Sequence, residues 1–203
     1  MWKRNEKKIF DLLFNQKVQL VWLGMPCTTF SRARRWDGIG PPPLRDANYV
    51  MGIPWLRGRE RAKLITGNNL YWFSMRILWA CLRLRIPVVL ENPETSLCWQ
   101  TPILQVLQAS GLMTANVLHF CQFGEAWKKP TTLLAAFVDL SSVCKQCQGT
   151  FQKCSHSGRR HIPLKGLAPD GRFMTLIAQP YPFQLVAHLA DIFHSHLTRS
   201  LCG

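Results

Sequence analysis

Apolar residues along the chain form short blocks whose spacing alternates between that of helices and that of strands. The segment 9–14 has helical spacing, and the continuous apolar block 18–23 predicts a buried strand. The segment 59–85 contains no proline and predicts a long helix, after which 88–90 predicts a second buried strand. The later pattern predicts a helix, two strands and a final amphipathic helix, at 102–109, 117–120, 133–137 and 181–197. This alternation predicts an α/β fold.

Two chemically active side chains follow the first two predicted strands directly. Pro26 ends the first strand because proline cannot continue a central ladder, so Cys27 lies just beyond it. Glu91 follows the second strand. In open α/β sheets ligands bind at the carboxyl ends of the strands, so we expect this thiol and this carboxylate to face one pocket. The alternatives are a structural cysteine and an ordinary strand exit.

The residues around these two positions carry a family resemblance. The segment Pro26-Cys27-Thr28-Thr29-Phe30-Ser31, called the cysteine motif below, resembles the nucleophile motif of DNA cytosine-5 methyltransferases. The segment Glu91-Asn92-Pro93 resembles their Glu-Asn motif. The order and spacing also agree. The similarity is to a divergent branch found in phages and mobile elements, in which Ser96 and Trp99 and the segment from Gly124 to Lys128-Lys129-Pro130-Thr131 have counterparts.

This resemblance implies a function and a fold. Cys27 would be the thiolate that adds to C6 of a flipped cytosine, Glu91 would act at N3, Asn92 would orient the carboxyl or touch the exocyclic amine, and Pro26 would shape the turn. The fold would be a partial Rossmann-like methyltransferase sheet with a small Cys/His-rich insertion. The whole chain, 1–203, would be a single methyltransferase-like catalytic domain truncated at its N-terminus.

A strong basic balance agrees with a nucleic-acid partner. The chain has 25 Lys and Arg against 11 Asp and Glu, a formal net charge of +14, which attracts polyanions such as DNA. We expect the segment 31–61 to be a long basic loop. The residues predicted to bind substrate are Ser31, Arg32, Arg34, Arg35, Lys128 and Lys129. A solvated basic loop is the alternative for the arginines, and the two lysines have the same alternative.

The cofactor implied by the resemblance, S-adenosylmethionine, lacks its usual motif here. The family binds it with a glycine-rich turn and an acidic residue upstream of the cysteine motif, and no Phe-x-Gly-x-Gly pattern occurs in this sequence. We therefore expect a missing N-terminal half, a separate cofactor-binding chain, or a decayed copy that only binds nucleic acid.

A second group of ligand-forming side chains lies in 140–166. Soft thiolates and an imidazole at close spacing suit a tetrahedral structural zinc. We predict a zinc-binding loop whose ligands are Cys144, Cys147, Cys154 and His156, with His161 as the alternative histidine. A loosely ordered basic loop without metal is the other interpretation.

The sequence also bears on location. Its longest apolar runs are shorter than the ~18 to 20 residues needed to cross a bilayer, so we expect no membrane association. We see no secretory signal and expect an intracellular protein, in the nucleus or nucleoid if it acts on DNA. The predicted activity is that of a DNA (cytosine-5-)-methyltransferase. The alternative is an inactive or fragmentary relative that serves as a basic, zinc-stapled nucleic-acid-binding module.

Overall fold

The computed structural model describes residues 2–34, 41–150 and 152–201. Within them the chain has a mixed α/β fold, as the alternating pattern predicts. Four strands form one mixed sheet in the order β1-β2-β4-β3. Five α-helices accompany them in the described residues.

The elements follow one another along the chain with short 3-10 helices between some of them. The helices are α1 Trp2–Phe14, α2 Gly58–Leu84, α3 Pro102–Ala109, α4 Met174–Ile177 and α5 Phe183–Leu201. The strands are β1 Val21–Gly24, β2 Val88–Pro93, β3 Thr114–His119 and β4 Pro130–Ala136. Every helix and strand that the pattern predicts is present, with shifted ends, and α4 is an addition that is too short for periodicity to detect.

The described residues fall into two compact units. The first comprises Met1–Asn92, Ser96–Ala115 and Leu134–Val138. The second comprises Pro93–Thr95, Asn116–Leu133 and Asp139–Gly203.

The first unit contains the main apolar core. The strand β2 is buried from Val88 to Asn92, which agrees with an interior strand of a parallel pair. Helix α2 is the crossover between β1 and β2, and one of its faces supplies a large share of the core, including Tyr71, Met75 and Leu78. Burial of apolar surface at about 25 cal/mol per Å² is the main force that holds this layer together.

The second unit contains α5 and the cysteine-rich segment. Its buried side chains include a separate cluster formed by three cysteines, Cys121, Cys147 and Cys154. Around this cluster the residues 144–150 and 152–161 are mostly exposed loop. No helix among the described residues is long and apolar enough to cross a membrane.

Candidate functional site

The parallel pairing of β1 with β2 positions the predicted catalytic residues. Gly24 is the register partner of Glu91, and neighbouring strands lie about 4.8 Å apart. Cys27 follows Gly24 by three positions and is the first residue of a short 3-10 helix, Cys27–Thr29. Glu91 lies inside β2 rather than just beyond it, because the strand continues to Pro93. The two residues therefore come from neighbouring strands at the same edge of the sheet.

A third side chain, Cys98, has Cys27 and Glu91 as electrostatic neighbours. Its thiol is fully buried and interacts with both. Burial raises the pKa of Cys98 to about 12, opposed by a hydrogen bond to Ser96. Cys98 is therefore a neutral thiol at physiological pH. Cys27, by contrast, is half-buried.

Asn92 connects the two strand ends. Its side-chain Nδ2 donates a hydrogen bond of 2.9 Å to the carbonyl oxygen of Met25, in the turn that leads to Cys27. Asn92 is 0% exposed, and its Oδ1 has no hydrogen-bond partner among the described residues. A buried amide oxygen without a donor costs about 1–3 kcal/mol, so this acceptor requires an explanation.

Pro26 and Ser31 lie at the two ends of the cysteine motif. Pro26 is exposed and immediately precedes the 3-10 helix. The Ser31 hydroxyl accepts a hydrogen bond of 3.1 Å from the Ala33 N–H, which folds the chain just after the motif.

The predicted substrate-binding arginines have different environments. Arg34 donates from Nε to the Thr28 carbonyl oxygen at 2.8 Å and from Nη1 to the Pro42 carbonyl oxygen at 2.9 Å, and it lies 3.7 Å from a Glu60 carboxylate oxygen. Burial lowers the pKa of Arg34, and Glu60 opposes that shift. Arg32 is exposed. Arg35 lies outside the described residues.

A cavity of about 370 Å³ lies between the cysteine motif and the N-terminal half of α2. Its wall on the motif side includes Pro26 and Thr28, and cationic side chains line it at Arg34, Arg59 and Lys63. Such a lining attracts an anionic group.

The predicted lysines belong to the second unit. Lys129 Nζ donates to the Ala178 carbonyl oxygen at 2.7 Å and lies 4.3 Å from the centre of the Phe120 ring. This lysine therefore holds local structure together. Lys128 is half-buried and acts electrostatically on His119.

The second unit also forms a possible metal centre, from Cys121, Cys147, Cys154 and His161, whose ligand atoms all lie within 4.8 Å of one another. Zinc bonds of about 2.3 Å to sulfur and about 2.1 Å to nitrogen place tetrahedral ligands roughly 3.6–3.8 Å apart. The separation of 3.7 Å between Cys147 Sγ and His161 Nε2 has this size. The group can hold a metal ion such as zinc.

This ligand set differs from the predicted one at two positions. Cys144 is exposed, and its Sγ donates to Asn116 Oδ1 at 3.3 Å, so Cys121 takes its place. His156 is also outside the group, and the alternative histidine, His161, is inside it. Cys144 was predicted because it lies close to Cys147 and Cys154 in the sequence, whereas Cys121 is more than twenty residues away from them. The signal for Cys121 was its position directly after a predicted strand.

Local backbone structure explains why His161 is chosen. An antiparallel bridge pairs Lys153 with Arg160, and the His161 N–H donates to the Gln152 carbonyl oxygen at 2.8 Å. This small hairpin brings His161 back beside Cys154, while His156 lies at its exposed tip.

Hydrogen bonds to sulfur favour ionisation of one cysteine in the group, Cys147. Burial opposes its ionisation, but hydrogen bonds from the Ser155 N–H and hydroxyl, the Gly149 backbone and the neighbouring Cys121 outweigh burial and lower the pKa of Cys147. Burial raises the pKa of Cys121 to about 12. A Cβ at Gly149 would lie 1.8 Å from the Lys153 carbonyl oxygen, so this turn requires glycine.

Sequence reasoning also missed two residues near the cysteine motif, Arg45 and Cys98. Both are almost fully buried. Arg45 follows a proline run in a segment that its composition indicated to be an exposed loop, so nothing marked it as interior. Comparison with known proteins adds no relative, because no family model, curated protein or solved structure matches this chain.

Proposed function

We propose that this chain is a DNA cytosine-5 methyltransferase-like protein that attacks cytosine through Cys27, assisted by Glu91. The observation that carries the proposal is the register Gly24 to Glu91, with Cys27 three residues after Gly24 and Cys98 as a common neighbour. A half-buried thiol and a carboxyl group at 8% exposure thus belong to one strand-end region.

The chemistry assigned to these residues is covalent addition. The Cys27 thiolate forms a bond to C6 of cytosine, and the electron pair of the C5–C6 double bond moves toward N3. A hydrogen bond from the Glu91 carboxyl to N3 stabilises the charge that develops there. The unpartnered Asn92 oxygen is an acceptor suited to the exocyclic amine.

Access to C6 requires that the base leave the duplex, at a cost of a few kcal/mol. Phosphate contacts offset such a cost. The cationic cavity beside the motif, with Arg34, Arg59 and Lys63, supports binding of a phosphodiester backbone. The net charge of +14 supports the same partner.

The described residues do not fit S-adenosylmethionine, the methyl donor that the resemblance implies. The turn after β1 is the Cys27 loop itself, and the element before β1 is α1, so neither offers a glycine-rich turn. We propose that a cofactor-binding part outside residues 1–203 holds the donor. β1 stands at one end of the strand order, and edge strands are common pairing sites for another chain. The steps assigned to this chain end at covalent addition.

Covalent trapping tests the addition directly. A DNA duplex that carries 2-pyrimidinone in place of cytosine is reactive at C6 without a methyl donor. We expect a protein–DNA adduct that survives denaturing electrophoresis, maps to Cys27 by mass spectrometry and is lost in Cys27→Ala. Cys81→Ala is the matched control, because Cys81 is a fully buried core thiol. We expect this variant to form the adduct as the wild type does.

A second arm examines the donor. DNA that contains 5-fluorocytosine accumulates an adduct only if methyl transfer also occurs, so it is incubated with S-adenosylmethionine. We expect no adduct with this chain alone. Salt-sensitive DNA binding without an adduct on either substrate would contradict the enzyme proposal and favour a binding module.

The second candidate function is that of a zinc-stapled nucleic-acid-binding module, which the Cys121, Cys147, Cys154 and His161 group favours. Four protein ligands leave no open position, so zinc would be structural here. It would fix a segment that includes the exposed basic residues Lys153, Arg159 and Arg160.

Metal analysis of variants tests this proposal. We expect about one zinc per chain in the purified protein, a value near zero in Cys121→Ser, and an unchanged value in Cys144→Ser. The last variant is the control, since Cys144 lies in the same segment but outside the group. Loss of zinc in Cys144→Ser with retention in Cys121→Ser would overturn the assignment.

A further inference from the structure

Arg45 is a buried cation whose presence in the core needs an explanation. It is 3% exposed, and within residues 2–34, 41–150 and 152–201 no ion pair involves it. A buried charge without a counter-charge is destabilising unless hydrogen bonds compensate it. Burial lowers the pKa of Arg45 to about 10, opposed by Cys98 and Tyr71, so the guanidinium remains charged at neutral pH.

The contacts of Arg45 converge on the cysteine motif. Its Nη2 donates to Thr29 Oγ1 at 3.2 Å, and its guanidinium carbon lies 3.7 Å from the centre of the Phe30 ring. A guanidinium stacked at that distance gains a cation–π attraction, which is strongest when both groups are desolvated. One side chain thus holds two consecutive residues of the motif, close to Cys27.

Two other groups fix Arg45 itself. Its Nη1 donates to the Val50 carbonyl oxygen at 3.0 Å, and its Nη2 donates to Asn68 Oδ1 at 2.7 Å. Asn68 lies on α2, and its own Nδ2 donates to the Met51 carbonyl oxygen at 3.0 Å. Arg45 therefore links the cysteine motif to the rigid crossover helix.

The motif has little hydrogen bonding of its own to hold its backbone. The 3-10 helix that begins at Cys27 is only three residues long, and it closes with a hydrogen bond of 3.0 Å from the Phe30 N–H to the Cys27 carbonyl oxygen. The Phe30 carbonyl oxygen accepts a bond of 3.0 Å from the Leu97 N–H. Short 3-10 helices have poor hydrogen-bond geometry and depend on tertiary contacts.

We propose that Arg45 is a positioning residue that fixes the Cys27 loop for attack on the base. The inference rests on the proposed function of Cys27, and Arg45 acts only through Thr29 and Phe30. Preorganisation of a nucleophile by surrounding contacts commonly changes rates by large factors, because small displacements are costly.

The first test measures the loop without any substrate. In the full-length chain, Arg45→Met should raise the hydrogen-exchange rates of the Phe30 and Leu97 amides at least tenfold. The Val21 amide, which donates to the Pro87 carbonyl oxygen between the strands, should change little. Unchanged exchange at Phe30 and Leu97, or an equal rise at all three amides, would overturn the proposal.

The second test measures addition at saturating 2-pyrimidinone DNA. Arg45→Met should slow adduct formation at least tenfold and leave the DNA dissociation constant within about twofold, and Arg45→Lys should restore part of the rate. A loosened loop with a wild-type adduct rate would show that Arg45 is merely structural. Absence of any adduct in the wild type would contradict the proposed function, while the exchange test would still decide the role of Arg45.

Two further variants keep the test decisive. Thr29→Val removes only the hydroxyl acceptor and preserves shape, so it should move both readouts in the same direction by a smaller factor. If Arg45→Met fails to fold, Thr29→Val decides the proposal. Wild-type exchange rates and a wild-type adduct rate in Thr29→Val would then contradict the role of Arg45. Arg76→Met is the matched control, because Arg76 also lies over a ring, that of Phe10 at 5.1 Å, but has a side chain that is 61% exposed.

Discussion

Cysteine has two contrasting environments in this molecule. In the first unit Cys81 and Cys98 lie in an apolar core, and burial raises their pKa values to about 11 and about 12. In the second unit Cys147 is also buried, but hydrogen bonds from Ser155, the Gly149 backbone and Cys121 lower its pKa, while burial raises the pKa of the neighbouring Cys121. Burial alone therefore does not decide whether a thiol ionises. The polar groups that point at the sulfur decide it.

The contrast extends to how each unit is held together. The first unit relies on a large apolar cluster built from α2, β2 and their neighbours. In the cysteine-rich segment of the second unit the buried cluster consists of the three thiols themselves. A segment with so little apolar burial needs another source of stability, and a structural metal is one such source.

Metal removal should have the largest effect. Structural zinc contributes about 10–16 kcal/mol of apparent binding free energy, so chelation should unfold the segment 144–161. Hydrogen exchange followed by mass spectrometry should show full exchange there and retained protection in α2 and β2. Loss of protection in α2 and β2 together with the segment, or retained protection in the segment after chelation, would contradict a metal that stabilises only the segment.

Alkylation should separate the core thiols from Cys27. At pH 8 in the native protein we expect iodoacetamide to modify Cys27 at least 100 times faster than Cys98, because Cys98 is fully buried and its raised pKa leaves very little thiolate. Peptide mass spectrometry measures both rates in one sample. In urea the two rates should converge, and similar native rates would contradict the environment assigned to Cys98.

Replacement of Asn92 by alanine should destabilise the first unit by about 2 kcal/mol, because the buried Met25 carbonyl oxygen loses its donor and the removed side chain leaves a cavity, and these losses exceed the gain from removing the unpaired Oδ1. Equilibrium urea unfolding measures the change. Gln105→Ala, at an exposed position of α3, is the control and should stay within about 0.5 kcal/mol of wild type. A neutral Asn92→Ala variant would remove the argument that this bond shapes the cysteine turn.

Replacement of Gly67 by alanine should have the smallest effect, a loss of about 1 kcal/mol. In an unobstructed helix, glycine to alanine would raise the free energy of unfolding by about 1 kcal/mol. Here the new Cβ would lie 2.6 Å from Thr29 Oγ1, which is too close. Thermal unfolding shows whether the variant is more or less stable than the wild type. Asn69→Ala, on an exposed site of the same helix, should be neutral or stabilising, and a stabilising Gly67→Ala would show that the cysteine motif is not pressed against α2.

Local periodicity was enough to predict the elements, and the strand ends were enough to assign Cys27 and Glu91 to neighbouring parallel strands. The pattern of 18–23 and 88–90 marks buried strands, and parallel strands joined by a helix pair readily. The sequence could not reveal Arg45 as a core residue, because its burial depends on acceptors at Thr29, Val50 and Asn68. It could not choose Cys121 over Cys144, since that choice depends on where β3 ends relative to a distant hairpin.

The hydrogen bond from Asn92 to Met25 also has a consequence for the order of folding. It joins residues 67 positions apart, so it cannot form until the α2 crossover has closed and β1 has found β2. Contacts with such long loop closures form late. We therefore expect the strand-end arrangement of Cys27 and Glu91 to arise only in molecules whose first unit has already assembled.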